Sequence, residues 1–502
     1  MKLSILFLSL ACVCGALGQP NSSFYVATTG KDSNPGTQAA PWRTIQHAAD
    51  TARAGSTVNV RGGIYEELVG LRASGNASDG FITFRSYPGE TAVLEAEHLT
   101  PSGRIGVLTI HNQSYLRVEG FEIRNFHTAE HQLAPLGIDV MGVGSHIELL
   151  KNNVHHIQQT FEGRDGPGHG ANAFGIAVYG TNAKTPITDL IIDGNEVHHL
   201  KTGSSESLVV NGNVTNFRIT HNVVHDNNNI GIDVIGFEHT APDPAVDQAR
   251  DGVVSDNLVY NITSKGNPAY RNDESSDGIY VDGGTRILIE QNVIHDVDFG
   301  IELASEHKDR ATSYVIARNN LVYHNHTAGV SIGGYDPERG HTEHCTVINN
   351  TLYDNDTSAT GSGEFQMQWN MADNVFANNI VYAGSRCLMT LIKTEVKSDQ
   401  PPANIDHNLY YCASRAKAST WKGVAATVTG FEEYVQSSGN DRHSHFQDPR
   451  FVDALAKDFH LQSDSPAIAA GTIDAMPVGE LDLDGAPRVK SGNIDIGCYQ
   501  RK

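Results

Sequence analysis

Gly278-Ile-Tyr-Val-Asp-Gly283, then Asn292-Val-Ile-His295, then Gly300-Ile-Glu-Leu-Ala-Ser305: here the chain states one phrase and begins it again. The first half recurs as Gly137-Ile-Asp-Val-Met-Gly142, Gly175-Ile-Ala-Val-Tyr-Gly180, Gly231-Ile-Asp-Val-Ile-Gly236 and Gly329-Val-Ser-Ile-Gly-Gly334. The second half recurs as Asn222-Val-Val-His225, Asn257-Leu-Val-Tyr260, Asn320-Leu-Val-Tyr323, Asn350-Thr-Leu-Tyr353 and Asn379-Ile-Val-Tyr382. Each half is a short β-run bounded by turn residues, and no helix of ordinary length fits between them. Short strands that cannot bury a face alone must stack on their neighbours, which makes a solenoid. Asn at a fixed offset suits a tight corner, where its amide can bond backbone or the Asn of the next coil. The pattern predicts an all-β, right-handed parallel β-helix. A propeller blade would need four strands per repeat, which this phrase does not supply.

Length and charge are read against that repeat. A chain of 502 residues suggests about three domains. The array instead predicts one, over 19–502, with regular coils at about 105–412 and irregular coils and a cap at 413–502. Charged residues make up 19% and hydrophobic residues 39%, a globular balance and not a disordered one. The net charge of −22 excludes the basic footprint of a general nucleic-acid binder.

Lys2 and the apolar run Leu3–Leu17, closed by Ala16-Leu17-Gly18, read as a signal peptide over residues 1–18, so a secreted, extracellular protein is expected. No later stretch reaches the ~18 apolar residues of a membrane span, and no membrane partner is expected. Cleavage leaves Cys345, Cys387, Cys412 and Cys498. Secretion permits disulfides; Cys387–Cys412 would close a short loop, and the other pairings stay open. Eight N-x-S/T sequons begin at Asn21, Asn76, Asn112, Asn213, Asn261, Asn325, Asn349 and Asn355, a hint of a glycoprotein.

Strand alternation assigns the faces. In Gly-Ile-x-Val-x-Gly, Ile and Val point inward and both x positions point out. Down one sheet the first outward column reads Asp139, Ala177, Val209, Asp233, Tyr280, Glu302, Ser331, Gln366, and the second carries Asp282. Stacking at ~4.8 Å places Asp233 and Glu302 about 9–10 Å apart with Tyr280 between them. Three carboxylates and a tyrosine therefore converge on one exposed patch, the expected chemical centre. Two insertions flank it, Phe237–Asp277 and Tyr335–His344, and bring His239, Arg250, Tyr270, Arg271, Arg339, His341 and His344 as candidate walls of a groove.

Phe24–Glu67 (FYVATTGKDSNPGTQAAPWRTIQHAADTARAGSTVNVRGGIYEE) resembles the opening of secreted β-helix polysaccharidases, family nine pectate lyases being the nearest. Within it Trp42–Ala54 reads as the helix that caps the first coil and Ser56–Val60 as the first strand. Leu481–Gln500 is similar to the C-terminus of such secreted carbohydrate-active proteins. These end motifs occur on lyases, hydrolases and epimerases alike.

The resemblance implies a lyase, which removes the proton α to a uronate carboxylate and expels the 4-linked sugar. That chemistry needs a cation on the carboxylate, usually Ca²⁺, and a base. Asp233, Asp282 and Glu302 are the candidate Ca²⁺ ligands, with Asp282 and Tyr280 also at the catalytic centre. Lys308 is the candidate base, in a Glu302…Lys308 spacing that resembles family six lyases with a gap longer by about one residue. Arg271 and Arg310 are candidates for holding the substrate carboxylate, and Arg250, His239 and Tyr335 for the rest of the glycan.

The alternative is an inverting glycoside hydrolase that uses the same acids ~6.5–9.5 Å apart and needs no metal. A uronan epimerase and a non-catalytic glycan-binding solenoid complete the alternatives. In every case the partner is a polysaccharide and the protein is expected as a monomer. The acidic surface would repel a polyanion unless a cation or the Arg-bearing insertions bridged it.

Overall fold

Three strands make each coil, as in Ile232–Ile235, Arg250–Ser255 and Leu258–Ile262. Successive coils pair in parallel, so the computed structural model is a right-handed parallel β-helix built on three long sheets. It describes residues 22–501 apart from 163–170, 271–272, 393–402, 414–419, 423–426 and 475. The expected signal peptide and Asn21 lie outside these residues. Among the described residues, no helix is long and apolar enough to cross a membrane.

The interior is a column of aliphatic side chains. Ile232, Val234, Ile279, Val281, Ile301 and Leu303 are all fully buried, as the Gly-Ile-x-Val-x-Gly phrase requires. The leading glycine of that phrase has a packing reason. A Cβ on Gly231, Gly278 or Gly300 would lie 2.4–2.8 Å from a carbonyl oxygen of the next coil, so only hydrogen fits there.

The asparagines form a continuous ladder. Asn222 donates Nδ2–H and its backbone N–H to Asn257 Oδ1 at 3.0 and 2.9 Å. Asn257 does the same to Asn292, and so through Asn320, Asn350, Asn379 and Asn408. Their remaining amide protons reach a strand carbonyl of the preceding coil, as Asn257 does to Ile219 at 2.9 Å. Of the sequons, Asn213, Asn325, Asn349 and Asn355 are buried and closed to a glycan, whereas Asn112 and Asn261 are exposed.

The ends differ from the sequence expectation in detail. Ser23–Val26 precedes Thr57–Val60 as the first strand and pairs with it. Helix α1, Ile45–Thr51, is capped by Thr44, whose hydroxyl accepts from the His47 N–H. Coils already stack from Thr57 onward, because early coils keep the strand alternation without the glycine phrase. At the far end α2, Phe431–Ser438, lays Tyr434 flat on Trp421 at 4.6 Å and closes the core.

The residues after Phe446 add no coil. They fold back along the solenoid, packing Phe451 and Phe459 against Tyr323, Tyr353 and Ile380 and bonding Gln291, Asn319 and Asn349 on three successive coils. Cys387 and Cys412 form a disulfide, while Cys345 and Cys498 are free and buried.

Candidate functional site: a roofed column of carboxyls

The outward column has the register the sequence predicts. Asp139 pairs Ala177, Ala177 pairs Val209, Val209 pairs Asp233, Asp233 pairs Tyr280, Tyr280 pairs Glu302, Glu302 pairs Ser331, and Ser331 pairs Gln366. Its surroundings are different. The expected exposed patch is covered: Asp233 is 2% exposed, and Tyr280 and Asp282 are each 5% exposed. The roof comes from loops between strands. Phe237–Asp277 is not a single insertion, since it contains the regular strands Arg250–Ser255 and Leu258–Ile262; only the segments on either side leave the coil. The 3₁₀ turn Pro268–Tyr270 brings Tyr270 over the column, where its hydroxyl accepts from Asn229 Nδ2 at 3.0 Å.

Beneath this roof lies a cavity of about 420 Å³ lined by Ile230, Tyr270, Ser275, Asp277, Tyr280, Phe299, Glu302, Glu306, Tyr335, Ser362, Gln366 and Gln368. No lysine or arginine occurs among these described lining residues. Arg339 stands just behind the rim, its guanidinium 4.4 Å from the Tyr335 ring centroid and 3.8 Å from the Glu306 carboxylate.

Burial and mutual repulsion raise the pKa of Asp233, Asp277, Asp282 and Glu206. Asp277 is raised well above the usual carboxylate range by burial, then by Glu302 and Asp233, and it shares a side-chain hydrogen bond with Glu302. Asp233 is raised by burial, then by Glu206 and Asp282. Asp282 is raised by burial, then by Glu306, whose backbone N–H donates to its Oδ1 at 2.8 Å. Glu206 is pushed up to about 8 by burial and then by Glu238. One oxygen each of Asp233, Asp277 and Glu206 is buried without a hydrogen-bond partner. Glu302 is steadied from below, its Oε1 accepting from Ser331 Oγ at 2.9 Å and Gln368 Nε2 at 2.8 Å.

The sequence candidates separate into groups. Asp233, Tyr280, Asp282 and Glu302 come together, and Tyr335 joins them at the cavity wall. Lys308 does not: it is exposed and pairs with Glu338 at 2.8 Å, an interaction that raises its pKa and keeps the amine protonated. Lys308, Arg310 and His239 line a separate depression of about 180 Å³ beside Phe237 and His307: the turn after Ala304 carries Lys308 and Arg310 off the column, and His239 belongs to the loop after Ile235. Arg310 stacks on the Phe237 ring at 5.0 Å. Arg250 begins a strand of the neighbouring sheet, where it donates to Gln248 O and Asn213 Oδ1, each at 3.0 Å. Arg271 lies outside the described residues.

The proposed calcium ligands do not fit one ion. Ca²⁺ takes six to eight oxygens, whereas the donor atoms of Asp233, Asp282 and Glu302 do not gather within 4.8 Å of one another. Asp282 gathers instead with Glu238 and His307, a set with an imidazole nitrogen that suits other cations better. Those two are already committed to each other: Glu238 holds His307 Nε2 at 2.9 Å, lowering the carboxyl pKa and raising that of the imidazole.

Strand alternation missed Asp277, for an identifiable reason. Counting back from Ile279, alternation places Gly278 outward and Asp277 inward. A Cβ on Gly278 would in fact meet Ile294 and Val297 in the core. Gly278 and Ile279 both face inward, so Asp277 is outward. A glycine that begins each phrase was the available signal of this local break.

A family model described as Pel9A-like, right handed beta helix region, matches residues 24–172. A second, described as periplasmic copper-binding protein (NosD), matches residues 152–384. The uncharacterized protein YwoF of Bacillus subtilis is 38% identical over 451 residues, covering 88% of this chain and 91% of that protein. Pectate lyase PEL9 of Emericella nidulans is 33% identical over 121 residues, covering 23% of this chain and 29% of that one. Among solved structures, the GH136 lacto-N-biosidase of Eubacterium ramulus superposes with a TM-score of 0.51 at 13% identity, covering 85% of this chain and 67% of that one, a likeness of fold.

Proposed function

The chain belongs to the same family as YwoF of Bacillus subtilis, and from that premise we propose that it is a secreted glycoside hydrolase acting on an uncharged glycan in the roofed cavity of its second sheet. One observation carries this reading: the cavity has a buried carboxyl of raised pKa at Asp277, aromatic walls, and no Lys or Arg among its described lining residues.

Glycosidic cleavage needs one carboxyl that arrives protonated and one that ionises. Asp277, hydrogen-bonded to Glu302 and buried, is suited to donate its proton to the departing glycosidic oxygen. Glu306 stands at the rim; burial raises its pKa, and the charge of nearby Arg339 offsets that only in part. Its place beside that charge suits it to activate water or attack the anomeric carbon. Tyr270, Tyr280 and Tyr335 offer faces and hydroxyls to sugar rings. A uronate carboxylate would instead meet several acids, with no Lys or Arg among the described lining residues to receive it. The Cys387–Cys412 disulfide supports an oxidising, extracellular setting, and the polysaccharide likeness of PEL9 supports a glycan substrate.

A second reading, a uronate lyase, is favoured by the PEL9 likeness and the Pel9A-like match at residues 24–172. The Pel9A-like match ends before Asp233, Asp277 and Glu302. The test is a panel of neutral glycans, pectate and alginate, each followed by reducing ends and by ultraviolet absorbance, with and without chelator. The hydrolase reading expects reducing ends without absorbance on a neutral glycan, unaffected by chelator and lost in Asp277→Asn. Chelator-sensitive, absorbing products from pectate or alginate would replace it with the lyase.

A further inference from the structure

The last coil carries a second constellation, beyond the Gln366 and Gln368 end of the acid cavity. Each ladder asparagine is preceded by a corner residue in the left-handed region. Asn349, Asn378 and His407, at φ 54°, 55° and 59°, precede Asn350, Asn379 and Asn408. The ladder then passes to Ser444, whose Oγ accepts the Asn408 N–H at 2.7 Å. His443 therefore occupies the corner after His407. Their rings stack with centroids 5.0 Å apart and planes 13° from parallel, about one coil rise.

Asp406 ends the strand Ala403–Asp406 and faces both rings. Its Oδ1 accepts the backbone N–H of His407 and of His443, each at 2.8 Å. Its Oδ2 meets Nδ1 of His443 at 2.7 Å. One oxygen of Asp406 and one ring nitrogen from each histidine lie within 4.8 Å of one another.

The neighbouring corners serve another purpose. Asn378 donates to Thr472 O and Asn349 to Asp495 O, so the returning C-terminal tail covers them. No such tail contact reaches His407 or His443 among the described residues, and the His443 side chain is 67% exposed. The two histidines thus combine a fixed backbone with an open approach.

We infer that Asp406, His407 and His443 form a binding site for a borderline divalent cation, Zn²⁺ in the first instance. Two imidazoles and one carboxylate are a donor set for Zn²⁺, Ni²⁺ or Cu²⁺ and too poor in oxygen for Ca²⁺. The ion takes the place of the proton between His443 Nδ1 and Asp406 Oδ2, and water completes its shell. Its consequence is structural. The segment bearing His443 also bears Asp441, which accepts from Asn408 Nδ2 at 3.1 Å, Tyr410 Oη at 3.1 Å and Tyr434 Oη at 3.0 Å. A cation joining His443 to Asp406 and His407 clamps that closing segment onto the last coil.

The test uses the full chain, freed of metal by chelator and dialysed, then titrated with zinc sulfate by calorimetry and melted with and without it. Saturable binding and a rise in Tm of about 1–3 °C, small because the unfolding entropy of so large a domain is large, are expected. His407→Ala and His443→Gln each weaken affinity at least tenfold and remove the Tm rise, whereas His198→Ala on an earlier coil changes neither. His443→Gln keeps the proposal falsifiable if His407→Ala does not fold, because an exposed ring is lost there. Cobalt bound in place of zinc gives a visible ligand-field band that His443→Gln loses. Zinc binding that survives both variants, or no saturable binding at all, overturns the site.

Discussion

Two polar columns run along this solenoid, and they have opposite hydrogen-bond balances. In the corner ladder, Asn222, Asn257 and Asn292 each accept from the coil before and donate to the coil after. In the outward column of the second sheet, Asp233 and Asp277 each leave a buried oxygen unpartnered and repel one another. Both columns repeat at one coil rise, so stacking alone does not distinguish them. Satisfaction does. A satisfied buried amide stabilises the coil stack, whereas buried carboxyls that leave an oxygen unpartnered cost stability and mark the place where a substrate supplies the missing partners.

The largest expected effect tests the second half of that contrast. Asp277→Asn should lower glycan turnover by roughly a hundred- to ten-thousandfold, the usual contribution of a general acid, while Tm stays level or rises because an amide cannot ionise beside Asp233. Activity and melting measured on one preparation decide it. A fall in both would make Asp277 a structural residue and erase the contrast.

The ladder should answer in the opposite way. Asn257→Ala removes the acceptor of two Asn222 donors and two donated bonds, at a cost of about 3 kcal/mol when the stranded groups are included. Denaturant midpoints should show that loss, with turnover per folded molecule within about twofold of the parent at a permissive temperature. An Asn257→Ala protein as stable as the parent would show that stacking, not the amides, sets the coil register.

Most of the fold was legible in the sequence because the repeat is strict where the core is strict. Gly-Ile-x-Val-x-Gly fixed inward and outward positions well enough to give the pairing from Asp139 to Gln366 residue by residue. The acids of the candidate site were legible only where that alternation held. Asp233, Tyr280, Asp282 and Glu302 lie on the regular strands and were found, and Tyr270 and Tyr335 were named as walls from the insertions that carry them. Asp277 lies across the break at Gly278, and Glu306 lies on a segment whose path depends on contacts with other coils. Lys308 was misplaced for the same reason: its sequence distance from Glu302 says nothing about which way the turn after Ala304 runs. The tail after Phe446 was expected to extend the solenoid, yet its apolar residues fit against Tyr323 and Tyr353 on the flank.

The acid column also makes stability depend on pH in a defined direction. Glu206 has its folded pKa raised to about 8, and Asp233, Asp277 and Asp282 are raised above their ordinary values. A raised folded pKa means the folded state holds its proton more tightly than the unfolded chain does. That stabilisation is complete below the unfolded pKa near 4–4.5 and is lost as pH rises through the folded value. Urea midpoints should therefore decline between about pH 5 and pH 8, and Glu206→Gln should flatten the decline. A midpoint that rises over that range would show that the column is ionised and paired with something else.

The smallest expected effect separates the two readings of the chemistry. Lys308 is exposed and bound to an exposed Glu338, and such pairs contribute little to folding. It lines the depression with Arg310 and His239, outside the cavity of Asp277. In a hydrolase that draws its acid from Asp277, Lys308→Ala should leave turnover within about twofold, since side chains off the reacting atoms change the barrier little. In a lyase that uses Lys308 as its base, the same change should lower turnover by about a hundredfold or more. Because the substitution touches neither polar column, it leaves the stack undisturbed, and any loss of rate would belong to the chemistry. A hundredfold loss would therefore move the reacting centre out of the roofed cavity and into the depression beside Phe237, overturning the contrast between the columns without changing the fold that displays them.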